Sequence, residues 1–454
     1  MFRLYDTATQ EVRELAQREP GKVSIYLCGP TVYGPPHIGH GRATVTYDIL
    51  RRYLEWSGNQ VRLVSNITDI DDKIIARAND EGTTSAEVAV TWEKVWWEAM
   101  DAVGYTRPTD IPHATEYVDQ MVDVVARLVE MGRAYATDDG VYLSVESIAD
   151  YGLLAHQSLD QMMSGGGDRE IFGAENKRHP ADFALWKLAK PGEPSWPSPW
   201  GDGRPGWHTE CVVMSLDLLG EGFDLHCGGQ DLRFPHHENE RAQAVGLGKQ
   251  FARHWMHNGF IVDASGEKMS KSLNNFETLV DLVRQNDPRA FRMVLLQAHY
   301  RSPLSVTRDT VEQAEKAVGR LDVFARRALA LPAGVAADAA VVDTFRSRMD
   351  DDLDTPGAIA LLFDTVTKAN AAIDAGRLDE GAALAAAVRT MCDAVGLVLK
   401  TADDIPADVA ARAVALDAAR AAKDFGAADA LRAELQADGW VVETAKSGTT
   451  VRRA

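Results

Sequence analysis

The first clear hydrophobic pattern is "KVSIYLCG" at residues 22–29, where apolar Val23, Ile25, Tyr26 and Leu27 run up to Gly29-Pro30. An apolar run stopped by Gly-Pro predicts a buried strand. From His37 to about Trp56 the spacing changes. Ile38, Val45, Ile49, Leu50 and Leu54 recur at helical intervals, which predicts a helix with one apolar face for a sheet. "QVRLVSNITDID" then returns to a strand pattern. Strand, turn, helix and strand in succession make a βαβ unit, so the expected fold is α/β, a Rossmann-type doubly wound parallel sheet. Ligands of such sheets sit at the carboxyl ends of the strands, where Cys28, His37 and His40 are expected.

The rest of the chain divides by composition. Residues 116–195 read as a connective insertion with helical pieces and the run Ser164–Gly167. The stretch "PGEPSWPSPWGDGRPGWH" (191–208) reads as a stiff polyproline-like linker. From about residue 311, long Ala/Arg/Asp/Leu helices predict a helical bundle, with "PAGVAADAA" between two of them. "TADDIP" marks a last boundary. The expected organisation is residues 1–115, first half of a catalytic domain; 116–195, insertion; 196–310, second half; 311–400, bundle; 401–454, a small C-terminal module.

Lys and Arg number 48 against 67 Asp and Glu, a net charge of −19 over 454 residues. That argues against non-specific nucleic-acid binding by the whole surface and leaves room for a local basic groove. No apolar run approaches the roughly 20 residues of a membrane helix, and "MFRLYDTATQEVREL" lacks a signal-peptide layout. The expectation is a cytoplasmic protein with no membrane partner. Cysteines at 28, 211, 227 and 392 show no short-range pairing. In a reducing compartment they are buried small residues or ligands.

Three constellations carry chemistry. His37-Ile38-Gly39-His40 opens a helix after a strand. A helix N-terminus seats phosphate, and two imidazoles three residues apart share a face from which to donate to an α-phosphate. Gly39 lets a flat base approach the backbone. H-x-G-H also marks nucleotidyltransferases, and a chance pair of partly buried histidines is the plain alternative. Lys268 and Lys271, in "DASGEKMSKSLNN", suit the charge of a departing pyrophosphate, although alone they read as a solvated basic loop. Cys28, Cys211 in "GWHTECVVMS", and His236 and Glu240 in "FPHHENE" are four candidate zinc ligands. The last two are spaced i,i+4 on one helix face. No CxxC is present, His237 or Glu238 could stand in, and a surface hydrogen bond or cap would also explain the pair. Trp92, Trp96 and Trp97 read as a core stripe. Asp69, Asp71 and Asp72 read as a helix cap before a magnesium site. "DDDLDTP" (350–356) is given no chemistry, and Cys392 is read as core.

With both motifs in this order the chain resembles the class I aminoacyl-tRNA synthetases. Through "YLCGPTVYGPPHIGHGR", "NITDIDDKI", "DFALWK", "GRPGWHTEC", "FDLHCGGQDLRFPHHENE", "NGF", "KMSKSLNN" and "KDFGAADALRAEL" it is similar to the cysteinyl-tRNA synthetase family over nearly its full length. The resemblance implies ATP-dependent activation of L-cysteine and transfer to the 3′ terminal adenosine of tRNA(Cys). It implies one Zn2+ per chain on Cys28, Cys211, His236 and Glu240, with the substrate thiolate bound to it, and Mg2+ carried by ATP. His37, Gly39, His40, Lys268 and Lys271 would form the ATP site, the histidines and lysines acting in catalysis. Gly29, Thr68, Trp207, His226 and Asp231 would line the amino-acid pocket. Cys227 sits beside that pocket at no ligand position. Sulfur selection by zinc can be strong enough to need no proofreading site, consistent with a short insertion. The C-terminal module would bind the anticodon stem-loop; Arg412, Arg420, Lys423, Arg432, Lys446, Arg452 and Arg453 supply phosphate-seeking charge there and Trp440 could stack on a base, although with acids interspersed a solvated, salt-bridged helix is the plain alternative. A monomer is expected. The nearest alternative is the cysteine ligase of mycothiol biosynthesis, which acts on an aminosugar-inositol and has no need of the C-terminal module. A non-catalytic paralogue is disfavoured because no motif is lost.

Overall fold

A computed structural model describes residues 1–159, 161, 176–262, 278–402, 406–445 and 448–453. Its centre is a four-stranded parallel sheet in the order Trp255–Asn258, Leu225–Gly229, Lys22–Leu27, Gln60–Ser65. The chain winds outward from Lys22–Leu27 to Gln60–Ser65, then returns to build the other side. The topological switch point therefore lies between Lys22–Leu27 and Leu225–Gly229, the usual place for a ligand crevice. This is the doubly wound sheet expected from the sequence.

Alternation along the strands divides the core in two. Val23, Ile25 and Leu27 join Leu63, Leu225, Cys227 and Met256 against the helix Ile38–Trp56. Tyr26, Val64 and Trp255 face the other way, against Cys211, Val212 and Met214 of the helix Trp207–Leu219. The predicted apolar stripe of Ile38–Trp56 is buried at each named position.

Polar contacts fix that helix further. Tyr47 Oη donates to the Gly228 carbonyl at 2.6 Å. Asp48, fully buried, pairs with Arg292 at 2.6 Å and with Arg52 at 2.8 Å. Arg292 belongs to the helix Pro288–Leu296 and also donates to the carbonyls of Gly104 and Val395, so one guanidinium joins the sheet domain to the end of the bundle.

The insertion carries an antiparallel sheet of Ala134–Ala136, Gly140–Leu143, Phe183–Leu188 and Gly203–Pro205. This sheet runs past residue 195. The Pro/Trp-rich stretch is not a free linker: Trp196 and Gly203 exchange backbone hydrogen bonds of 2.7 and 2.9 Å, and Arg204 and Pro205 pair with Lys187 and Trp186. An edge strand tolerates proline because one side of its backbone needs no partner.

The bundle comprises Arg308–Ala328, Ala339–Asp350, Thr355–Asp374 and Leu378–Ala394, with Cys392 in its core. The C-terminal module has the helices Ala407–Ala421 and Phe425–Ala437 and the hairpin Trp440–Ala445/Gly448–Arg453. Its own small core is Val409, Leu416, Leu435, Trp440 and Val451. Trp440 is 5% exposed, so its ring fills that core and is withdrawn from stacking on a base. Arg412 is ion-paired with Asp408 and Asp438. Lys446 lies outside the described residues.

Replacing Asp48 by Ala strands the Arg292 guanidinium without its carboxylate. A broken buried ion pair costs about 3–5 kcal/mol, so urea unfolding of Asp48→Ala is expected to show a clearly lowered midpoint.

Candidate catalytic and metal site

Strand alternation decides where each sulfur points. Cys28 follows Leu27 and lies on the Tyr26 side of the sheet, facing the helix Trp207–Leu219. Cys211 lies early in that helix, and the two sulfurs are 3.7 Å apart. A disulfide would need about 2.05 Å; all four cysteines are free thiols. Cys227 pairs in register with Leu27, so its side chain enters the opposite core, under the Ile38–Trp56 helix. Its nearness in sequence to the pocket is therefore misleading.

His236 and Glu240 complete the cluster. His236 sits in a wide turn, Arg233–His237, that passes into the helix Glu238–Gly246, and the expected i,i+4 contact survives the joint. His236 Nε2 is 3.0 Å from Glu240 Oε1 and 3.6 Å from Cys211 Sγ, while Cys28 Sγ is 3.4 Å from Glu240 Oε1. Zinc with bonds of about 2.3 Å to sulfur and about 2.0–2.1 Å to nitrogen and oxygen gives tetrahedral edges of about 3.8 Å for S–S, 3.5 Å for S–N and S–O, and 3.4 Å for N–O. The observed edges follow that pattern, the N–O edge being the shortest. The donor set fits zinc.

The surrounding contacts hold these ligands. His208 Nδ1 lies 2.8 Å from His236 Nδ1, which aims His236 Nε2 at the cluster. His226 engages Glu240 Oε2 at 2.7 Å and the Tyr26 carbonyl at 3.2 Å. Cys28, His226, His237 and Glu240 form a second close grouping, in which both nitrogens of His226 are already engaged, His237 Nδ1 is held by His257 at 2.8 Å and His237 Nε2 has no hydrogen-bond partner among the described residues. Glu238 accepts from the Leu154 amide at 2.6 Å and turns away. Burial pushes the Cys28 thiol well above its ordinary value and that of Cys211 to about 11, and it holds His236 neutral. Both thiols keep their protons in the protein alone, whereas a dication at their centre inverts this preference.

The histidines of the helix start cap one another. His37 is the N-cap. The His40 amide donates to His37 Nδ1 at 3.2 Å and the His37 amide donates to His40 Nδ1 at 3.3 Å. The rings stack with centroids 3.5 Å apart. An accepting Nδ1 carries a lone pair, so both imidazoles hold their proton on Nε2. Burial, with His37 adding to it, keeps the pKa of His40 well below the ordinary histidine value. The pair is thus two neutral Nε2–H donors at a helix N-terminus. The edge of Trp96 meets His40 at 5.5 Å. Of the expected tryptophan stripe only Trp96 is buried; Trp92 and Trp97 are half-buried under Arg77 and Arg107. Asp71 caps the helix Asp72–Glu81 as expected, while Asp69 accepts from Thr115 and Asp72 pairs with Lys187 and Arg204.

The expected pocket residues separate into two groups. Trp207, 38% exposed, stacks on His236 at 4.1 Å. With Asp231, Gln230, Phe234 and Phe260 it lines a cleft of about 450 Å³. Thr68 and His226 are buried. Thr68 Oγ1 donates to Glu210 Oε2 at 2.7 Å. The Gly29 amide donates to Asn66 Oδ1 at 2.9 Å, and a Cβ at Gly29 would fall 1.6 Å from the Asn66 carbonyl oxygen, so no other residue fits there. Lys268 and Lys271 lie outside the described residues.

The profile of "tRNA synthetases class I (C) catalytic domain" matches residues 14–316, and that of "DALR domain" matches 344–400. Cysteine--tRNA ligases of Streptomyces avermitilis and Halorhodospira halophila are 41% and 42% identical to the chain, covering 98% and 100% of it and the same shares of their own lengths. The chain belongs to the cysteine--tRNA ligase family. A methionyl-tRNA synthetase of Mycobacterium tuberculosis, solved with methionyl-adenylate, shares the fold at a TM-score of 0.58 and 17% identity, covering 83% of this chain and 90% of that one. Relatives that align along the whole chain, C-terminal module included, support a cysteine--tRNA ligase and not the aminosugar ligase.

Seen as a cysteine--tRNA ligase, the chain shows two site residues that sequence reasoning missed. Asn66 receives hydrogen bonds from the Gly29 amide and Tyr26 and donates to Thr68 at 3.2 Å. Glu210, buried and with its carboxyl pushed well up by burial, anchors Thr68. Asn66 stands in a quoted motif and Glu210 precedes a proposed ligand, but no spacing rule singles out either. Sheet geometry also generates a test of the metal site. Cobalt(II) added to metal-free protein is expected to give a thiolate charge-transfer band that Cys211→Ser weakens strongly and Cys227→Ser leaves in place. Equal loss in both variants would count against the assignment.

Proposed function

We infer that this cysteine--tRNA ligase activates L-cysteine with ATP and transfers it to the 3′ terminal adenosine of tRNA(Cys), acting as a cytoplasmic monomer. The observation that carries the reading is the convergence of Cys28, Cys211, His236 and Glu240 at the end of the strand whose following turn carries two neutral Nε2–H imidazoles. Those four residues would hold zinc. When bound there, it supplies a Lewis acid that lowers the pKa of a thiol and prefers sulfur to a serine hydroxyl. His226 fixes Glu240, His208 fixes His236, and Trp207 covers the cluster from the cleft side. The Gly29–Asn66–Thr68–Glu210 network sets the strand-end loops around the amino acid.

In this reading the cysteine carboxylate attacks the α-phosphorus of ATP, which arrives with Mg2+. A P–O bond forms to the carboxylate as the bond to pyrophosphate breaks. His37 and His40 donate through Nε2–H to the α-phosphate oxygens, where negative charge gathers at the five-coordinate stage. Lys268 and Lys271 take up the charge of the leaving pyrophosphate. A ribose hydroxyl of the terminal adenosine then attacks the cysteinyl carbonyl and AMP departs. The helical domain matching 344–400 and the C-terminal module hold the tRNA, whose phosphates meet the basic residues among them.

Labelled cysteine is expected to be transferred to unfractionated bacterial tRNA with ATP, and serine is not. Cysteine-dependent pyrophosphate exchange without transfer would favour a small-molecule acceptor instead. His40→Ala is expected to slow pyrophosphate exchange by about 10²–10³-fold, the loss typical of one preorganised donor. His40→Gln, whose amide can both cap and donate, should recover part of that loss. Equal rates for Ala and wild type would remove His40 from the mechanism.

A further inference from the structure

Arg42 stands two residues after His40 on the same helix and is 2% exposed. Burial lowers its pKa to about 10, so it is still a cation at neutral pH. Among the described residues no carboxylate forms an ion pair with it. Its partners are three backbone carbonyls. Nη1 donates to Phe260 O at 2.7 Å, and Nη2 donates to Tyr300 O at 2.9 Å and to Ser302 O.

Those carbonyls belong to one joint. Phe260 leads into the strand Ile261–Val262, which pairs in parallel with Leu304–Ser305, the strand reached through Tyr300 and Ser302. The joint has its own cross-links: Gly259 N donates to Tyr300 O at 2.8 Å and Leu304 N donates to Phe260 O at 3.0 Å. Arg42 therefore caps acceptors that already hold the two segments together. The chain leaving Val262 reaches Lys268 six residues later. A buried cation satisfied only by carbonyls is a costly way to fill space, and an apolar side chain would serve if filling were the only requirement.

We propose that Arg42 is a positioning residue for ATP activation, fixing the root of the segment that bears Lys268 and Lys271 at a set distance from His37 and His40. The helix supplies the link, since His40 and Arg42 are two residues apart on it, a rise of about 3 Å along its axis. Arg42 touches no substrate and acts through the placement of the two lysines. The inference rests on the proposed role of those lysines.

The test compares Arg42→Lys, Gly259→Ala and Lys271→Ala in the full-length, zinc-loaded enzyme. Gly259→Ala wedges the same joint with the Arg42 side chain intact, because its Cβ would lie 2.5 Å from the Arg301 carbonyl oxygen and 2.6 Å from that of Ser302, one of the Arg42 acceptors. Arg42→Lys and Gly259→Ala are each expected to lower kcat for cysteine-dependent pyrophosphate exchange by at least about tenfold, with KM for cysteine within about twofold. Zinc content, and single-turnover transfer to tRNA from cysteinyl-adenylate formed beforehand, should stay at wild-type values. If Lys271→Ala slows exchange while the other two match wild type, or slow exchange and transfer alike, the positioning role is overturned. If Lys271→Ala leaves exchange unchanged, the reading of the lysines falls, and this inference with it.

Discussion

The site depends on a geometric constraint: in a strand, neighbouring side chains point to opposite faces. Lys22–Leu27 sends Val23, Ile25 and Leu27 into the core beneath the Ile38–Trp56 helix and Tyr26 to the other side. Cys28, the next residue on the Tyr26 side, meets Cys211 across the crevice. Because parallel neighbours in register share a face, the same rule carries His226 to the cluster and Cys227 away from it. Shifting this strand by one residue would exchange the two faces, putting the thiol into the apolar core.

Burial is what gives the cluster its chemical character. Two thiols pushed upward and a histidine held neutral surround the carboxyl group of Glu240, so the sulfur and nitrogen donors bring no charge of their own. The histidines at the helix start follow the same logic. By capping one another they satisfy orphan amides of the first turn and settle their tautomer in one arrangement. In the proposed reading the two halves of the site receive charge from their ligands, a dication on one side and phosphate on the other. A neutral, preorganised donor pays no reorganisation when that happens.

How much of this the sequence disclosed depends on the range of the interaction. The βαβ unit and the helix stripe were legible from local periodicity, and the four residues that converge, Cys28, Cys211, His236 and Glu240, were named through the family resemblance of the quoted motifs. His237 and Glu238 stayed open as alternatives, since spacing alone cannot tell which imidazole turns inward; in the fold the His208 contact aims His236 at the cluster and the Leu154 amide draws Glu238 away. The 191–208 stretch misled because proline density reads as a linker, while pairing with Phe183–Leu188 is a long-range fact. Trp440 misled for a related reason. In a module this small, an aromatic ring is needed for the core before it is available for a ligand.

The Ile38–Trp56 helix ties these pieces into one rigid mount. Its start carries the mutually capped histidines, its second turn holds the Phe260/Ser302 joint through Arg42, and Tyr47 grips the Gly228 carbonyl. Further along, Asp48 reaches Arg292 and, through it, the Val395 carbonyl at the end of the bundle. Most of these partners are backbone carbonyls or buried charges, which tolerate little displacement before they are left unsatisfied. Apolar packing alone would let the helix slide by fractions of a turn at modest cost. The polar pins remove that freedom, so the histidine pair, sheet and helical domain share one frame of reference, and a site built from residues as far apart as 28 and 240 can hold ångström-scale geometry.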